Sequence, residues 1–193
     1  MIMSSRRQTF GSVGATKLPG IGSSTIPSIR CKPMTTARIR PISSSDFAPF
    51  GTLVSIGEGD GGRFDFSNVL ENNRLGAKLR VCLVSLKPCE LPLEVDRMER
   101  HEYSSQTFIP QSCESYVVLV APPDARGGPD SSQLQAFHVP GNVGINYRAN
   151  VWHHPMTVLG APAEFMVIMY ADGSDLDEEF VCLAARRSVA PAA

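Results

Sequence analysis

From residue 78 onward, hydrophobic and polar positions alternate with the period of two that sends successive side chains to opposite faces of a strand. The alternation predicts strands at 79–86, 93–101, 106–109, 115–121, 135–139, 145–148 and 165–170, separated by turn-forming clusters. Upstream, a strand is predicted at 52–56, closed by a glycine-rich turn at 57–62. Ser43, Ser44, Ser45 and Asp46 offer capping side chains ahead of Phe47, Ala48 and Phe50, which predicts a short helix ending at Gly51, with Pro49 tolerable only in a first turn. The segment 64–74 is ambiguous: Asn68, Asn72 and Asn73 can be read as turn formers or as the lining of a site. Residues 175–180 read as a short acidic helix or a cap on one end of the fold. Strands at this spacing, with no long helix between them, predict a mainly β fold: an antiparallel sandwich or small barrel with a few short helices.

A chain of 193 residues supports one domain with a substantial core and leaves too little for a second. Its longest apolar runs, 116–121 and 165–170, are too short to span a bilayer as helices. The net charge of -1 conceals an asymmetry. Residues 1–45 hold seven Lys or Arg and no Asp or Glu, leaving 11 basic against 19 acidic residues beyond, a net of −8. That basic, Ser-, Thr- and Gly-rich leader has little apolar surface to offset the entropy of ordering, and no continuous apolar stretch of the secretory kind. The expected organisation is therefore a disordered leader over 1–36 with the features of a plastid or mitochondrial transit peptide, a folded domain over 37–185 and a flexible tail over 186–193. The alternative is a cytoplasmic product, for which Met34 offers a start. Five cysteines without C-x-x-C spacing read as reduced, mostly buried thiols and exclude a zinc ribbon. There is no phosphate-cradling glycine loop and no basic aromatic patch, so nucleotide or nucleic-acid binding has no support.

Candidate chemistry sits in two stretches. Residues 144–155, Gly-Ile-Asn-Tyr-Arg-Ala-Asn-Val-Trp-His-His-Pro, follow a glycine suited to a tight turn and present Tyr147, Trp152 and His153 or His154 at a strand end. Residues 99–110 begin Glu-Arg-His-Glu-Tyr, so Glu99, His101 and Tyr103 share one face of a strand, an imidazole beside a carboxylate. The spacing Glu99-x-His101-x4-Gln106 resembles the first motif of the cupin superfamily, and 144–155 its second, with the histidine at His153.

Closer still, Glu99-Arg100-His101, Ser105-Gln106-Thr107-Phe108-Ile109-Pro110, Asn146-Tyr147 and Trp152-His153-His154-Pro155, with Phe47-Ala48-Pro49-Phe50-Gly51, Leu91-Pro92-Leu93 and Leu134-Gln135-Ala136-Phe137, resemble the ureidoglycolate lyase family of the allantoin degradation pathway over roughly 37–182. The resemblance implies a cupin-like barrel, a homodimer, and cleavage of (S)-ureidoglycolate to urea and glyoxylate. That reaction needs a base for the hydroxyl proton and an acid for the departing nitrogen. Glu99, His101, His153 and Tyr147 are the expected catalytic groups, with Gln106, Arg148, Trp152 and Asn68 expected to bind substrate. Arg148 is the candidate for the substrate carboxylate, although alternation sets it opposite Tyr147 unless the strand bulges. Glu99 and Gln106 depart from the usual metal-binding cupin pattern, yet Glu99, His101 and His153 could hold a divalent ion such as nickel, manganese or zinc. A non-catalytic small-molecule-binding or regulatory cupin, or a metal-dependent oxygenase, is the alternative.

Overall fold

The computed structural model describes residues 36–55 and 62–192. All but the last residue of the predicted leader over 1–36, Cys31 and nearly all of the glycine-rich turn lie outside the described residues; Thr36 itself begins the first strand. In chain order the elements are β1 (Thr36–Pro41), α1 (Ser44–Phe47), β2 (Gly51–Val54), a 3-10 turn (Ser67–Val69), β3 (Lys78–Leu86), β4 (Leu93–His101), β5 (Gln106–Ser112), β6 (Ser115–Ala121), a second 3-10 turn (Ser131–Gln133), β7 (Gln135–Pro140), β8 (Gly144–Tyr147), β9 (Trp152–His153), β10 (Thr157–Leu159), β11 (Ala163–Ala171) and β12 (Glu178–Pro191). The fold is mainly β with few short helices, as expected.

The helix is shorter than predicted. Ser43 caps it by accepting the Asp46 amide, and it stops at Phe47, before Pro49; Gly51 already belongs to β2. Gly51 is required there because a Cβ would stand 2.0 Å from the Asn146 carbonyl oxygen on the neighbouring strand. Gly144 serves a similar close approach, against Phe108 O at 2.8 Å, rather than the tight turn expected of it.

Six strands close on themselves in the order β6, β7, β1, β12, β4, β9 and back to β6, with β10 extending the same sheet. A second sheet of five strands runs β2, β8, β5, β11, β3. The pairing departs from purely antiparallel at one place: β1 runs parallel to both neighbours, β12 and β7. Each of the six ring strands contributes to one core cluster, through Ile39, Val95, Met98, Leu119, Ala136, Trp152 and Val189, which therefore fills the ring. A second cluster joins Tyr116, Val118 and Phe137 of the ring to Phe108, Ile145, Tyr147 and Phe165 of the five-stranded sheet, and fills the gap between the two.

Two expectations at the C-terminus fail. Residues 178–191 form neither an acidic helix nor a flexible tail but the longest strand of the fold, paired with β4 and β1. Its pairing with β4 shifts register between Cys182 and Arg187, and that irregularity breaks the alternation that would have marked it as a strand. The thiols are also less buried than expected: Cys82 and Cys113 are half-buried, and Cys89 and Cys182 exposed. Cys82 lies on β3, an edge strand covered on one side only.

Candidate active site

The same irregularity shapes the site. Opposite it, β4 exposes Asp96 and Arg97 in succession and then buries Met98 and Glu99 in succession. The change of phase sends Met98 into the ring and turns Glu99 and His101 into the gap between the sheets. Strand β9 inserts between β4 and β6 with His153 opposite Glu99, and the five-stranded sheet brings Gln106 and Tyr147, themselves paired across β5 and β8.

His153 is fixed on every side. Its Nδ1 lies 2.8 Å from the Val151 carbonyl oxygen, which can only accept, so Nδ1 carries a proton. Its Nε2 faces Gln106 Oε1 at 3.2 Å and Glu99 Oε1 at 3.4 Å. Tyr147 stacks on the ring, centroids 4.1 Å apart and planes 16° from parallel. Phe47 and Phe108 meet Tyr147 edge-on. Burial, with the Glu99 charge second, holds the Tyr147 phenol far above its ordinary acidity range, so it can donate a hydrogen bond but cannot act as a base.

His101 is the contrast. It is 4% exposed, and neither ring nitrogen has a hydrogen-bond partner among the described residues. Its ring centroid lies 5.9 Å from that of His153, and Nδ1 lies 3.9 Å from Asp177 Oδ2, beyond hydrogen-bond reach. Burial, and then the neighbouring His153, push its pKa down to about 4, so the ring is neutral with a lone pair available at neutral pH.

The His101 ring lines a cleft of about 170 Å³, with Gln106, Arg74, Arg80, Asp177 and Glu178, and His153 stands behind it, in contact with the cleft residue Gln106. Asp177 accepts from the Tyr103 amide at 2.8 Å and from the Ser104 hydroxyl, and meets the Arg74 guanidinium at 3.5 Å. Glu178 faces His101 across β12 and β4; burial first, then Glu99 and Asp175, raise its carboxyl above the ordinary range. A roomier cleft of about 380 Å³ lies over the outer face of the five-stranded sheet, between Phe64, Phe66, Ile109 and Met166. It has no titratable lining and so no acid/base equipment.

Glu99, His101, Gln106, His153 and Tyr147 thus come together, while three other expected site residues do not. Trp152 points into the ring, since it adjoins His153 on a strand; its indole donates to Gly127 O and the Arg100 guanidinium covers its face at 4.5 Å. Arg148 lies beyond the end of β8, exposed, its amide bound to Phe50 O and its guanidinium without a hydrogen bond or ion pair among the described residues. Asn68 is exposed on the first 3-10 turn. The cations at the cleft are instead Arg74 and Arg80. The lining residues that sequence reading missed, Arg74, Arg80, Asp177 and Glu178, sit near turns or on β3, where both faces carry apolar residues and alternation does not say which is inward.

The proposed metal set does not fit as arranged. Among the described residues no three His, Cys, Asp or Glu side chains converge as ligands would, because the Nε2 of His153 is taken up by Glu99 and Gln106 and the His101 ring stands apart from it. What the arrangement offers is proton transfer: a neutral imidazole with free nitrogens, facing an imidazole held between a carboxylate and an amide.

Comparison with known proteins bears on which reaction this serves. A family model described as ureidoglycolate lyase matches residues 34–186. The ureidoglycolate lyase of Rhizobium etli is 37% identical over 145 residues, 70% of this chain and 86% of that protein. That of Burkholderia mallei is 36% identical over 142 residues, covering 69% and 82%, and that of Mesorhizobium japonicum 35% identical over 141 residues, covering 68% and 85%. A solved structure of Bacillus subtilis oxalate decarboxylase aligns with 66% of this chain and 35% of its own at 14% identity and a TM-score of 0.35, too loose to bear on the architecture. With its two long motifs meeting through His153, Glu99 and Gln106 and its relatives matched over most of their length, this chain belongs to the ureidoglycolate lyase family.

Proposed function

We propose that this protein cleaves (S)-ureidoglycolate to urea and glyoxylate by direct acid/base catalysis at the open end of the gap between its sheets. The observation that carries the reading is the buried His101 ring with two unpartnered nitrogens, 5.9 Å from the His153 ring. A free nitrogen of His101 takes the proton from the substrate hydroxyl. The C–N bond then breaks as the C–O bond becomes the aldehyde carbonyl of glyoxylate, and the pair of electrons passes to the ureido nitrogen. His153, whose Nε2 is braced by Glu99 and Gln106, delivers the proton that completes urea. No nucleophile and no redox step is needed. Each proton transfer is worth on the order of 10² to 10⁴ in rate.

The test is incubation of the purified chain with (S)-ureidoglycolate. Urea and glyoxylate should appear in equal amounts, and chelation should leave the rate unchanged. Ammonia with carbon dioxide would point to amide hydrolysis instead, and loss of activity restored by a divalent ion would overturn the metal-free mechanism.

Two further readings accompany this one. The edge strand β3 turns Leu79, Val81 and Leu83 to solvent with a row of unpaired backbone groups, which supports pairing with a second copy as a homodimer; light scattering giving a monomer mass at micromolar concentration would rule it out. The acid-free basic leader supports import into a plastid or mitochondrion. A fluorescent fusion that stays in the cytosol with the leader attached would contradict that.

A further inference from the structure

Resting on that reading, we infer that Arg80 is the residue that selects a carboxylate-bearing substrate and orients it over His101. The argument begins on β3. Cys82, Val84 and Leu86 pack on the core of the gap while Leu79, Val81 and Leu83 face solvent. Arg80 shares the parity of the inward row and lies toward its outer end, one position inside Lys78, and of the two only Arg80 lines the cleft. Its backbone lies opposite Met169 of β11, and its side chain lines the same cleft as His101 and Gln106.

The charges around that cleft distinguish Arg80 from every neighbour. Arg74 is already committed, to Asp172 at 2.9 Å, to Asp177 at 3.5 Å and over the Tyr103 ring at 5.9 Å. Asp177 is committed in turn to Arg74, Tyr103 and Ser104. Arg80 makes no ion pair or side-chain hydrogen bond among the described residues, although it stands at a cleft that also holds Asp175, Asp177 and Glu178. The carboxyl groups of Asp175 and Glu178 repel an anion from their part of the lining, and Arg80 supplies the uncommitted guanidinium. A guanidinium binds a carboxylate through two parallel N–H donors, which fixes orientation as well as charge. A substrate held there by its carboxylate presents the adjoining carbon, with its hydroxyl and ureido nitrogen, to the unpartnered nitrogens of the His101 ring. The carboxylate thereby chooses which end of the molecule enters.

The test compares (S)-ureidoglycolate with N-(hydroxymethyl)urea, the same hemiaminal without the carboxylate, using full-length wild-type protein and the Arg80→Met and Arg80→Lys variants. Arg80 is exposed, and methionine keeps an unbranched apolar stem, so the variants should keep the wild-type circular dichroism. Wild-type protein should prefer ureidoglycolate. Arg80→Met should lose roughly 10- to 100-fold in kcat/KM on ureidoglycolate, the scale of a lost charge-assisted pair, mostly through KM. Its cleavage of N-(hydroxymethyl)urea should stay within about twofold, and Arg80→Lys should recover part of the loss. If Arg80→Met lowers both substrates equally, or changes neither, the inference is overturned. Wild-type protein that accelerates neither reaction would overturn the lyase reading and this inference together.

Discussion

The gap between the two sheets has two ends, joined by β5, and they obey opposite rules. At the closed end, Tyr116 and Phe165 meet edge to face at 5.3 Å, Phe108 packs edge-on against Phe165, and the Tyr116 hydroxyl finds the Val143 carbonyl at 2.7 Å. The buried hydroxyl there is satisfied. At the open end, His101 is equally buried and yet both its nitrogens are unsatisfied. An unpaired buried polar group costs on the order of 1–3 kcal/mol, so the fold carries a local penalty where the chemistry is done. The difference teaches that in this molecule the site is recognised less by its residue types than by what those residues lack.

Substitutions at the two ends should separate along the same line. The largest effect is expected at His153: His153→Ala should lower turnover by at least about 100-fold, because the acid and its Glu99–Gln106 bracing go together, with urea release as the measurement. Phe165→Ala, at the closed end, should cost about 3–5 kcal/mol of stability in denaturant melts, since a fully buried aromatic leaves a cavity behind. Whatever of that variant stays folded should keep most of its turnover. A smaller effect comes from acid. Unfolded His101 binds a proton below about pH 6.5, and the buried ring only near 4, so its contribution to stability is present above 6.5 and fades as the pH falls toward 4. Thermal melts between those values should show the decline, and His101→Asn should flatten it. The smallest effect is expected at His154, whose Nδ1 donates to the Pro155 carbonyl oxygen at 2.8 Å, away from the cleft; His154→Ala should change turnover by less than about fivefold.

How far the sequence foretold this follows from where side-chain alternation is regular. Strand β6 runs apolar between clear turns, and β4, although it changes phase in its middle, is bounded by turns on both sides; the bounds of both match the prediction residue for residue. Glu99, His101 and His153 were legible because each sits in a motif with its neighbours. Strand β12 was not, because a register shift interrupts its pattern. Trp152 was misjudged by grouping it with His153, when adjacent residues of a two-residue strand must face opposite ways. Arg148 was chosen for its charge and proximity in sequence, whereas the cation in place, Arg80, comes from a strand some seventy residues earlier that only the folded sheet brings to the cleft. Asp177 was hidden for the same reason: its partners, Tyr103 and Ser104, lie far away in the chain.

The central claim is that the unpartnered imidazole of His101 takes the substrate proton. It is tested most directly by single-turnover release of urea and glyoxylate from (S)-ureidoglycolate by wild-type protein and by His101→Asn, which keeps a polar side chain of similar reach without a basic nitrogen. Equal release of both products by the wild type, with His101→Asn at least about 100-fold slower and no less stable at neutral pH, is the result expected. Turnover by His101→Asn within a few-fold of wild type would contradict the account, because the buried nitrogens on which it rests would then have no part in the reaction.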